Sequence, residues 1–437
     1  MDKIYNYPIV SRYVRQSLCL LLLGLFLSPV LIADTPQLSL PKYRLQPDEL
    51  AVIVNDEDPL SVQIGHYYLQ ARGLPAGNLL HVSFEPKKAT IQVAEFTRLR
   101  KSLLKATPAH IQAYAITWST PYRVGCMSIT SAITFGLERG WCSQQQCDTT
   151  RHSPYYNYSG ADPYLDLALR PTISIAANNF AAAKRLIDRG LAADNTLPQG
   201  TAYLVSTSDS ARNVRAYDYP RINTLMQSWI ETQIIHDDTL RDRDDVLFYF
   251  TGKSKVDALD SLTFLPGAVA DHLTSAGGQL NGGKQMSALR WLEAGASGSY
   301  GTVVEPCNHP GKFPNPAVLM EHYSSGSTLI EAYWKSVQQP GEGLFIGEPL
   351  AAPFDHVTIE QTDQQTRLIT RNIKPGVYQL THAISPIGPF RKLTNVRVKY
   401  HQKKLKLPKM KDGFYQLKKV EVKYYPEDKQ LSVDLAM

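Results

Sequence analysis

The chain has 437 residues, of which 43% are hydrophobic and 20% are charged, and its formal net charge is +6. This composition is typical of a globular protein with two or three domains, and it excludes a disordered or collagen-like chain. The excess of positive charge is too small to indicate a protein that binds nucleic acid.

The N-terminal segment has the pattern of a secretory signal peptide. Basic residues precede an uncharged, leucine-rich run over 17–33, and the small residue Ala33 stands before a polar stretch. We therefore predict a signal peptide over 1–33 and an exported chain in the periplasm, at the cell surface or outside the cell. Leu31 is a poor residue at the third position before a cleavage site, so an uncleaved anchor is the alternative. No later segment approaches the ~20 apolar residues of a membrane span.

Four cysteines remain once the first 33 residues are removed: Cys126, Cys142, Cys147 and Cys307. An even number of cysteines in an oxidising compartment favours two disulfides over free thiols. Cys142 and Cys147 are close enough in sequence to close one loop, and Cys126 would then pair with Cys307 across the fold. This is the preferred one of the three connectivities that four cysteines allow.

The first half of the chain alternates short apolar runs with helical patterns. The run ELAVIVN at 49–55 predicts a buried strand, and the helix after it begins at Asp58 as N-cap and ends at Gly73 as C-cap. The same alternation continues over 45–207, interrupted by an insertion at 126–165 that is rich in cysteine and tyrosine. We predict a first α/β subdomain with a mainly parallel sheet.

The second half, 208–354, repeats the pattern as a second α/β subdomain. Its predicted elements are a helix at 221–235, a strand at 246–252, a short apolar run at 262–264, helices at 266–277 and 286–295, a strand at 298–304, a long helix within 315–337 and a closing apolar segment at 343–350. Past Pro353 the pattern changes to short alternating segments separated by turn residues. Residues 355–437 therefore predict an antiparallel β sandwich.

Several motifs resemble the gingipain-type cysteine peptidases. FYFTGKS at 248–254 resembles their histidine strand, LTFLPGAVADHL at 262–273 their nucleophile strand and the next helix, and GLFIGEPL at 343–350 their closing signature. The resemblance implies a doubled caspase-like unit, three layers of helix and mainly parallel sheet, followed by an Ig-like sandwich.

A closer resemblance covers most of the exported chain. STPYRVGCMSITSA, GASGSYGTVVEPCNHPGKFPNP and the segment around the first strand and helix resemble an uncharacterised family of exported bacterial proteins. That family occurs mainly in species with an exosortase-type sorting system, so the resemblance implies a location rather than a chemistry.

The residues that a caspase-like peptidase needs are missing at the matching positions. Such an enzyme carries an imidazole and a thiol at the carboxyl ends of neighbouring strands. The histidine position falls here at Gly252–Lys253 and the thiol position near Leu265–Pro266. His272 is expected inside the following helix as a structural residue. The main hypothesis is therefore an exported envelope protein that binds rather than cleaves, with an envelope protein or a polysaccharide as partner.

The alternative hypothesis is a cysteine-type hydrolase. Cys307 and His309 are two residues apart, and Glu305 lies on the same side of an extended segment, so the three side chains form a candidate nucleophile, base and orienting group. A thiol outside the cytoplasm has to escape oxidation, which favours a disulfide at Cys307 instead.

Two further places are candidate ligand sites. Asp56 and Glu57 follow the first strand, where α/β sheets bind ligands, and their oxygens suit calcium. Tyr155 and Tyr156 belong to a tyrosine-rich loop that would stack on a sugar or peptide if its rings were exposed. The alternative for this loop is an insertion packed by its own tyrosines. No cofactor is predicted, and the cysteine and histidine spacings match no standard zinc site.

Overall fold

A computed structural model describes residues 36–143, 147–399 and 402–420. The predicted signal peptide and the last predicted segment of the sandwich, LSVDLAM, lie outside these residues. The described chain divides into two compact units. The α/β unit comprises residues 43–356, and the β module comprises 36–42 together with the described residues from 357 to 420.

The strands of the described residues follow one another in this order: β1 Pro36–Ser39, β2 Leu50–Asn55, β3 Leu79–Val82, β4 Thr90–Ile91, β5 Ala113–Ile116, β6 Arg123–Val124, β7 Met127–Ser128, β8 Thr172–Ser174, β9 Thr201–Ser206, β10 Glu231–His236, β11 Arg243–Thr251, β12 Leu262–His272, β13 Gly298–Thr302, β14 Gly343–Gly347, β15 Val357–Gln361, β16 Gln365–Thr370, β17 Gly376–Ala383, β18 Arg391–Val398, β19 Lys404–Pro408 and β20 Gly413–Lys419. The helices are α1 Pro59–Arg72, α2 Val93–Ala106, α3 Ile129–Phe135, α4 Pro163–Leu167, α5 Phe180–Ala193, α6 Tyr219–Met226, α7 Leu289–Ala294, α8 Pro316–Ser324 and α9 Leu329–Ser336.

One large mixed sheet forms the centre of the α/β unit. Its described strands lie in the order β10-β9-β11-β12-β13-β14-β8-β5-β2-β3, and all neighbours pair in parallel except β13 and β14, which pair antiparallel. The sheet therefore runs without a break through both predicted subdomains. β9 lies among the strands of the second half, although the sequence division at 207 assigns it to the first.

The local signals of the first half give the predicted elements. Every residue of β2 is buried, as the apolar run at 50–54 predicts for a strand covered on both faces. α1 begins where the Asp58 side chain accepts a hydrogen bond from the backbone N of Leu60 at 3.0 Å. It ends at Gly73, whose φ of 62° is the left-handed conformation that glycine adopts without strain. Both predicted caps of this helix are confirmed.

The predicted helix at 266–277 is wrong, because β12 runs through it as far as His272. Its pairing with β11 shifts register between Val246 and Phe248, where one residue of β11 lies opposite four residues of β12. Pro266 and Gly267 lie in this irregular stretch, and Gly267 has a φ of 86°. Proline and left-handed glycine fit a bulge in a strand, although in sequence they look like a strand end and a helix start.

Two other predicted helices are shorter in the structure. The helix predicted over 221–235 ends at Met226, and its second part is strand β10. The helix predicted within 315–337 is divided into α8 and α9. A capping box in which the side chains of Thr328 and Glu331 bond each other's backbone starts α9 afresh.

The β module contains two small sheets. One has the order β1-β20-β17-β18 and the other β15-β16-β19, and every described pair is antiparallel except β1 with β20, which is parallel. Side chains of both sheets, among them Leu380, Val396 and Leu405, share one apolar core. Across both units, none of the described helices is long and apolar enough to cross a membrane.

Candidate functional site

The large sheet has two places where the strand order reverses, between β2 and β5 and between β9 and β11. Ligands of open α/β sheets bind in the crevice outside the carboxyl ends of the strands at such a point. The candidate residues of the first crevice follow β2, and those of the second follow β9, β11 and β12.

The carboxylates of the first crevice already have partners within the protein. Oδ1 of Asp56 lies 2.7 Å from Nδ1 of His81, and Glu57 accepts a hydrogen bond from Ser83. The buried side chain of Asn55 bonds the backbone N and O of Phe84 at 3.1 and 2.8 Å. Among the described residues, no group of three or more His, Cys, Asp or Glu side chains is arranged to hold a metal ion. Asp56 and Glu57 thus already have protein partners, and the calcium site that the sequence suggests stays a prediction.

The polar side chains of the second crevice pair with one another. Ser208 donates to Asp238 through its backbone N and its Oγ, at 2.6 and 2.8 Å. Nζ of Lys253 donates to the backbone O of Asp238 at 3.0 Å, and Arg212 forms an ion pair with Asp209 at 2.9 Å. Each of these charged groups therefore faces a protein partner at the rim of the crevice.

The carboxyl end of β12 does not lie at Leu265–Pro266, the thiol position expected from the sequence. The strand continues to His272, which lies in register beside Thr251, the last residue of β11. The neighbouring strand ends thus carry Thr251 with Gly252 on one side and His272 with Leu273 on the other. The end of β12 therefore carries the imidazole of His272, and no cysteine lies at either of these two strand ends.

His272 is held as a neutral structural residue. Its ring is buried, its Nδ1 accepts a hydrogen bond from Nε1 of Trp291 at 2.9 Å, and its Nε2 lies 3.1 Å from the backbone O of Met286. Burial lowers the pKa of His272 to about 4. A general base needs a free lone pair directed at a substrate, and the one on this ring is occupied by Trp291.

A buried ion pair fixes the loops around these strand ends. Arg215 and Asp271 approach to 2.6 Å, and both side chains are almost fully buried. Arg215 also donates to the backbone O of Thr251 at 2.7 Å and of Pro314 at 3.2 Å. The sequence analysis did not identify this pair. An aspartate ending an apolar strand is the one local sign of a buried charge with a distant partner.

Cys307, His309 and Glu305 lie together in the structure, but the sulfur is not free. Cys307 forms a disulfide with Cys147. His309 makes a hydrogen bond through Nε2 with the backbone O of Cys147, and Oε1 of Glu305 accepts the backbone N–H of Cys307 at 2.7 Å. A disulfide sulfur carries no thiolate, so this group can act as a nucleophile only after the bond is reduced.

The preferred disulfide connectivity is wrong, although all four cysteines are paired. The bonds are Cys126–Cys142, with Cα atoms 6.0 Å apart, and Cys147–Cys307, with Cα atoms 5.2 Å apart. The ring of Trp141 stacks on Phe135 with centroids 3.8 Å apart, and this packing directs the next residue, Cys142, to the turn between β6 and β7. Contacts between segments that are distant in sequence therefore decide the pairing, rather than the short sequence distance between Cys142 and Cys147.

The tyrosine-rich loop is packed by its own rings. Tyr155 has no exposed surface, and its ring lies 5.8 Å from that of Tyr158 and 5.4 Å from Nζ of Lys335. Burial raises the pKa of Tyr155 well above its ordinary value. Tyr155 therefore cannot stack on a ligand in this structure, whereas Tyr156 is half-buried and keeps part of its ring accessible.

A second buried ion pair, also missed from the sequence, ties the insertion to the sheet. Nζ of Lys312 lies 3.0 Å from Glu342, with both side chains at most 2% exposed. Lys312 also donates to Oγ of Ser143 at 2.6 Å, while the backbone N of Ser143 donates to Glu342 at 2.8 Å. The three residues lie far apart in sequence, so no local pattern marks them. The Cys147–Cys307 disulfide, this ion pair and its hydrogen bonds thus fix the insertion to the segments before β14.

One hollow near the edge of the large sheet is small. A hollow beyond the carboxyl end of β8, between α5 and α7, is lined by Asn178, Arg189 and Glu293 among others and holds about 20 Å³. That volume is enough for about one water molecule. It is too small for a substrate side chain.

Comparison with known proteins identifies no relative by sequence. No protein-family model and no curated protein matches the chain. A solved structure described as "Structure of Protease" is similar over 85% of this chain and 93% of its own, with 11% sequence identity and a TM-score of 0.39. A TM-score this low does not support an inference about fold or activity.

Proposed function

We propose that this protein is an exported, envelope-associated binding protein, built on a caspase- or gingipain-like scaffold that has no peptidase dyad. In this proposal the strands β9 to β14 form the caspase-like unit, and the β module is an Ig-like accessory domain. The observation that carries the proposal is the pair of strand ends at Thr251 and His272, where no thiol stands and the imidazole is occupied.

The chemistry of thiol hydrolysis needs a thiolate and a base in contact with the substrate. The four cysteines of the described residues are all in disulfides. The hydroxyl of Thr274, beyond the end of β12, donates to Gln285 at 2.8 Å and accepts from Arg212 at 3.2 Å. Among the described residues, a partner that approached these strand ends would therefore meet no free thiol, and the Thr274 hydroxyl is already hydrogen-bonded.

Two disulfides support the exported location in this proposal. Disulfides persist in oxidising compartments and are rare in the cytosol of most organisms. The Cys147–Cys307 bond joins positions 160 residues apart, so it constrains the unfolded chain strongly. An envelope protein or a polysaccharide is the partner class that such a location would offer.

The decisive experiment uses two variants that break the same disulfide. Cys147→Ser leaves Cys307 as a free thiol beside His309 and Glu305, whereas Cys307→Ser removes that thiol. We expect neither variant, nor the wild-type protein, to cleave fluorogenic casein or a peptide library, with or without reductant. Native wild-type protein should also resist labelling by a maleimide.

The hydrolase alternative makes the opposite prediction. Cleavage by Cys147→Ser or by the reduced wild-type protein, absent in Cys307→Ser, would overturn the proposal and assign the nucleophile to Cys307. Circular dichroism of both variants serves as the control that each has folded.

A further inference from the structure

The hairpin loop between β17 and β18, residues 384–390, exposes large apolar side chains at its tip. Ile384 is 72% exposed and Ile387 is 94% exposed. The backbone N of Gly388 donates to the backbone O of Ser385 at 3.0 Å, which closes a turn with Ile387 near its apex. We call residues 384–390 the apolar hairpin. Turns of soluble domains usually carry polar residues, so two solvent-exposed isoleucines in one loop indicate a binding surface.

Cations stand beside the apolar hairpin. Arg391 and Lys392 begin β18 directly after it, and both are exposed. Ala383 pairs with Phe414, so the turn between β19 and β20, with exposed Lys409 and Lys411, lies at the same end of the module. Among the described residues, the acidic ones at this end are Asp412, in the same turn, Asp363, in the turn between β15 and β16, where Gln365 pairs with Pro408, and exposed Glu360, which lies opposite Arg367 near the end of β15. These three carboxylates are fewer than the four cations named above.

Charge is segregated between the two units. Residues 357–437 carry 16 Lys and Arg against 7 Asp and Glu, a formal charge of +9, whereas residues 43–356 carry 26 against 31, a formal charge of −5. An asymmetry of this size points to a polyanionic partner for the β module.

The polypeptide enters the β module at the same end as the apolar hairpin. Pro36, the first described residue, pairs with Gly413 in the parallel β1–β20 ladder, and Gly413 stands next to Phe414, the partner of Ala383. In the sequence, the uncharged apolar run 17–33 precedes Pro36 by only three residues. In the uncleaved form, the alternative that the sequence leaves open, a bilayer that received this run would be brought to the end of the module that carries Ile384 and Ile387.

We infer that this end of the β module docks on an anionic phospholipid bilayer, with Ile384 and Ile387 inserted among the acyl chains and the neighbouring cations on headgroup phosphates. Apolar area and electrostatic attraction add in interfacial binding of this kind. A stable protein interface buries about 1,600 Å² in total, with a well-packed apolar centre, and two projecting side chains do not supply that. Pro386 and Pro389 stiffen the hairpin, which reduces the entropy lost on insertion.

The test measures co-sedimentation of the chain beginning at Asp34, which keeps every described residue, with vesicles of phosphatidylglycerol and phosphatidylcholine. We expect binding that weakens with added salt and is much weaker on phosphatidylcholine alone. Ile384→Ser with Ile387→Ser should lower the affinity at least about tenfold. The matched control is Leu165→Ser, which removes an apolar side chain 68% exposed on the α/β unit and should leave binding unchanged.

A second pair of variants tests which basic residues contact the anionic lipid. Arg391→Gln with Lys392→Gln should weaken binding by about fivefold or more. Lys404→Gln with Lys406→Gln removes the same charge from β19, where a groove of about 460 Å³ lies against β18, and should have a smaller effect. A third variant, Ile387→Trp, should bind at least as tightly as wild type, because tryptophan favours the bilayer interface.

Three results would overturn the inference. These are no binding to anionic vesicles, unchanged binding by the double isoleucine variant, and a larger loss from the β19 lysines than from Arg391 and Lys392. The last result would place an anionic ligand in the groove between β18 and β19 instead. This experiment measures vesicle binding and not peptidase activity. A negative result would therefore contradict the membrane inference without contradicting the proposed function.

Discussion

Nε1 of Trp291 donates a hydrogen bond of 2.9 Å to Nδ1 of His272, at the carboxyl end of β12. With Nδ1 accepting, the ring proton lies on Nε2, which is 3.1 Å from the backbone O of Met286. The imidazole is therefore neutral, fully bonded and buried. Its two hydrogen bonds join the end of β12 to Trp291 and to the backbone of Met286.

Stability should fall in acid because of this histidine. The pKa of His272 is about 4 in the folded protein, below the 6.5 of an ordinary histidine, so the unfolded chain takes up the proton first as the pH falls. The stabilisation is therefore complete above pH 6.5 and is lost between pH 6.5 and pH 4. We expect a loss of about 2 kcal/mol in the free energy of unfolding between about pH 8 and pH 5, measured with urea.

His272→Gln should be less stable at neutral pH and should lack this part of the pH dependence. His66→Gln, at an exposed position on α1, is the control and should keep it. The same pH slope in the wild type and in His272→Gln would contradict the assignment.

The buried Arg215–Asp271 pair should be sensitive to the loss of either partner. Arg215→Met or Asp271→Leu alone leaves a buried charge unpaired and should cost about 3–5 kcal/mol of unfolding free energy. The double variant should cost at least about 2 kcal/mol less than the sum of the two single variants. Denaturant unfolding at neutral pH measures all three.

An exposed ion pair provides the comparison. Arg221 and Asp218 approach to 2.6 Å, but Arg221 is 60% exposed, so Arg221→Met should change stability by less than about 1 kcal/mol. Strictly additive effects at Arg215 and Asp271 would show that the two charges do not stabilise each other.

The bulge in β12 should not tolerate a side chain at Gly267. Its φ is 86°, and an added Cβ would lie 3.0 Å from side-chain atoms of Ala193 and Pro353. We expect Gly267→Ala to lower the melting temperature, with a cost of about 1–3 kcal/mol. Gly77→Ala meets no atom within 4 Å and should be nearly neutral, and a similar cost at both sites would count against a strained bulge.

The two disulfides should contribute unequally to stability. Cys126–Cys142 spans 16 residues and Cys147–Cys307 spans 160. Because a longer loop removes more entropy from the unfolded chain, replacing both cysteines by serine should cost about 3 kcal/mol for the first bond and about 5 kcal/mol for the second. Peptide mapping without reduction checks the connectivity itself, and a linked Cys142–Cys147 peptide would refute it.

Much of the fold could be predicted from neighbouring residues. The unbroken apolar run of β2, the cap at Asp58 and the glycine at 73 are signals carried within one or two turns of chain. α2 and β9 belong to the strand–helix alternation that the sequence predicts over 45–207. The candidate site could be predicted less well, since only the grouping of Glu305, Cys307 and His309 follows from their spacing.

The wrong prediction of a helix at 266–277 and the wrong disulfide connectivity have the same cause. The local sequence around Pro266 and Gly267 predicts the start of a helix. In the folded chain this segment pairs with β11, and the two residues lie in a bulge within a strand. The spacing of Cys142 and Cys147 predicts one small loop, but in the folded chain each cysteine bonds a partner from another segment. In each case a long-range contact outweighs a weak local preference.

The sequence by itself determined which segments are helices and strands across most of the α/β unit, because caps and hydrophobic periodicity depend on residues a few positions apart. It also predicted that four cysteines would form two disulfides, and it shows that positive charge is concentrated in residues 357–437. Only the tertiary structure decided which cysteines pair, that His272 lies at the end of β12, and that Ile384 and Ile387 are exposed to solvent close to basic side chains. Those outcomes depend on surfaces that meet only after distant segments pack together.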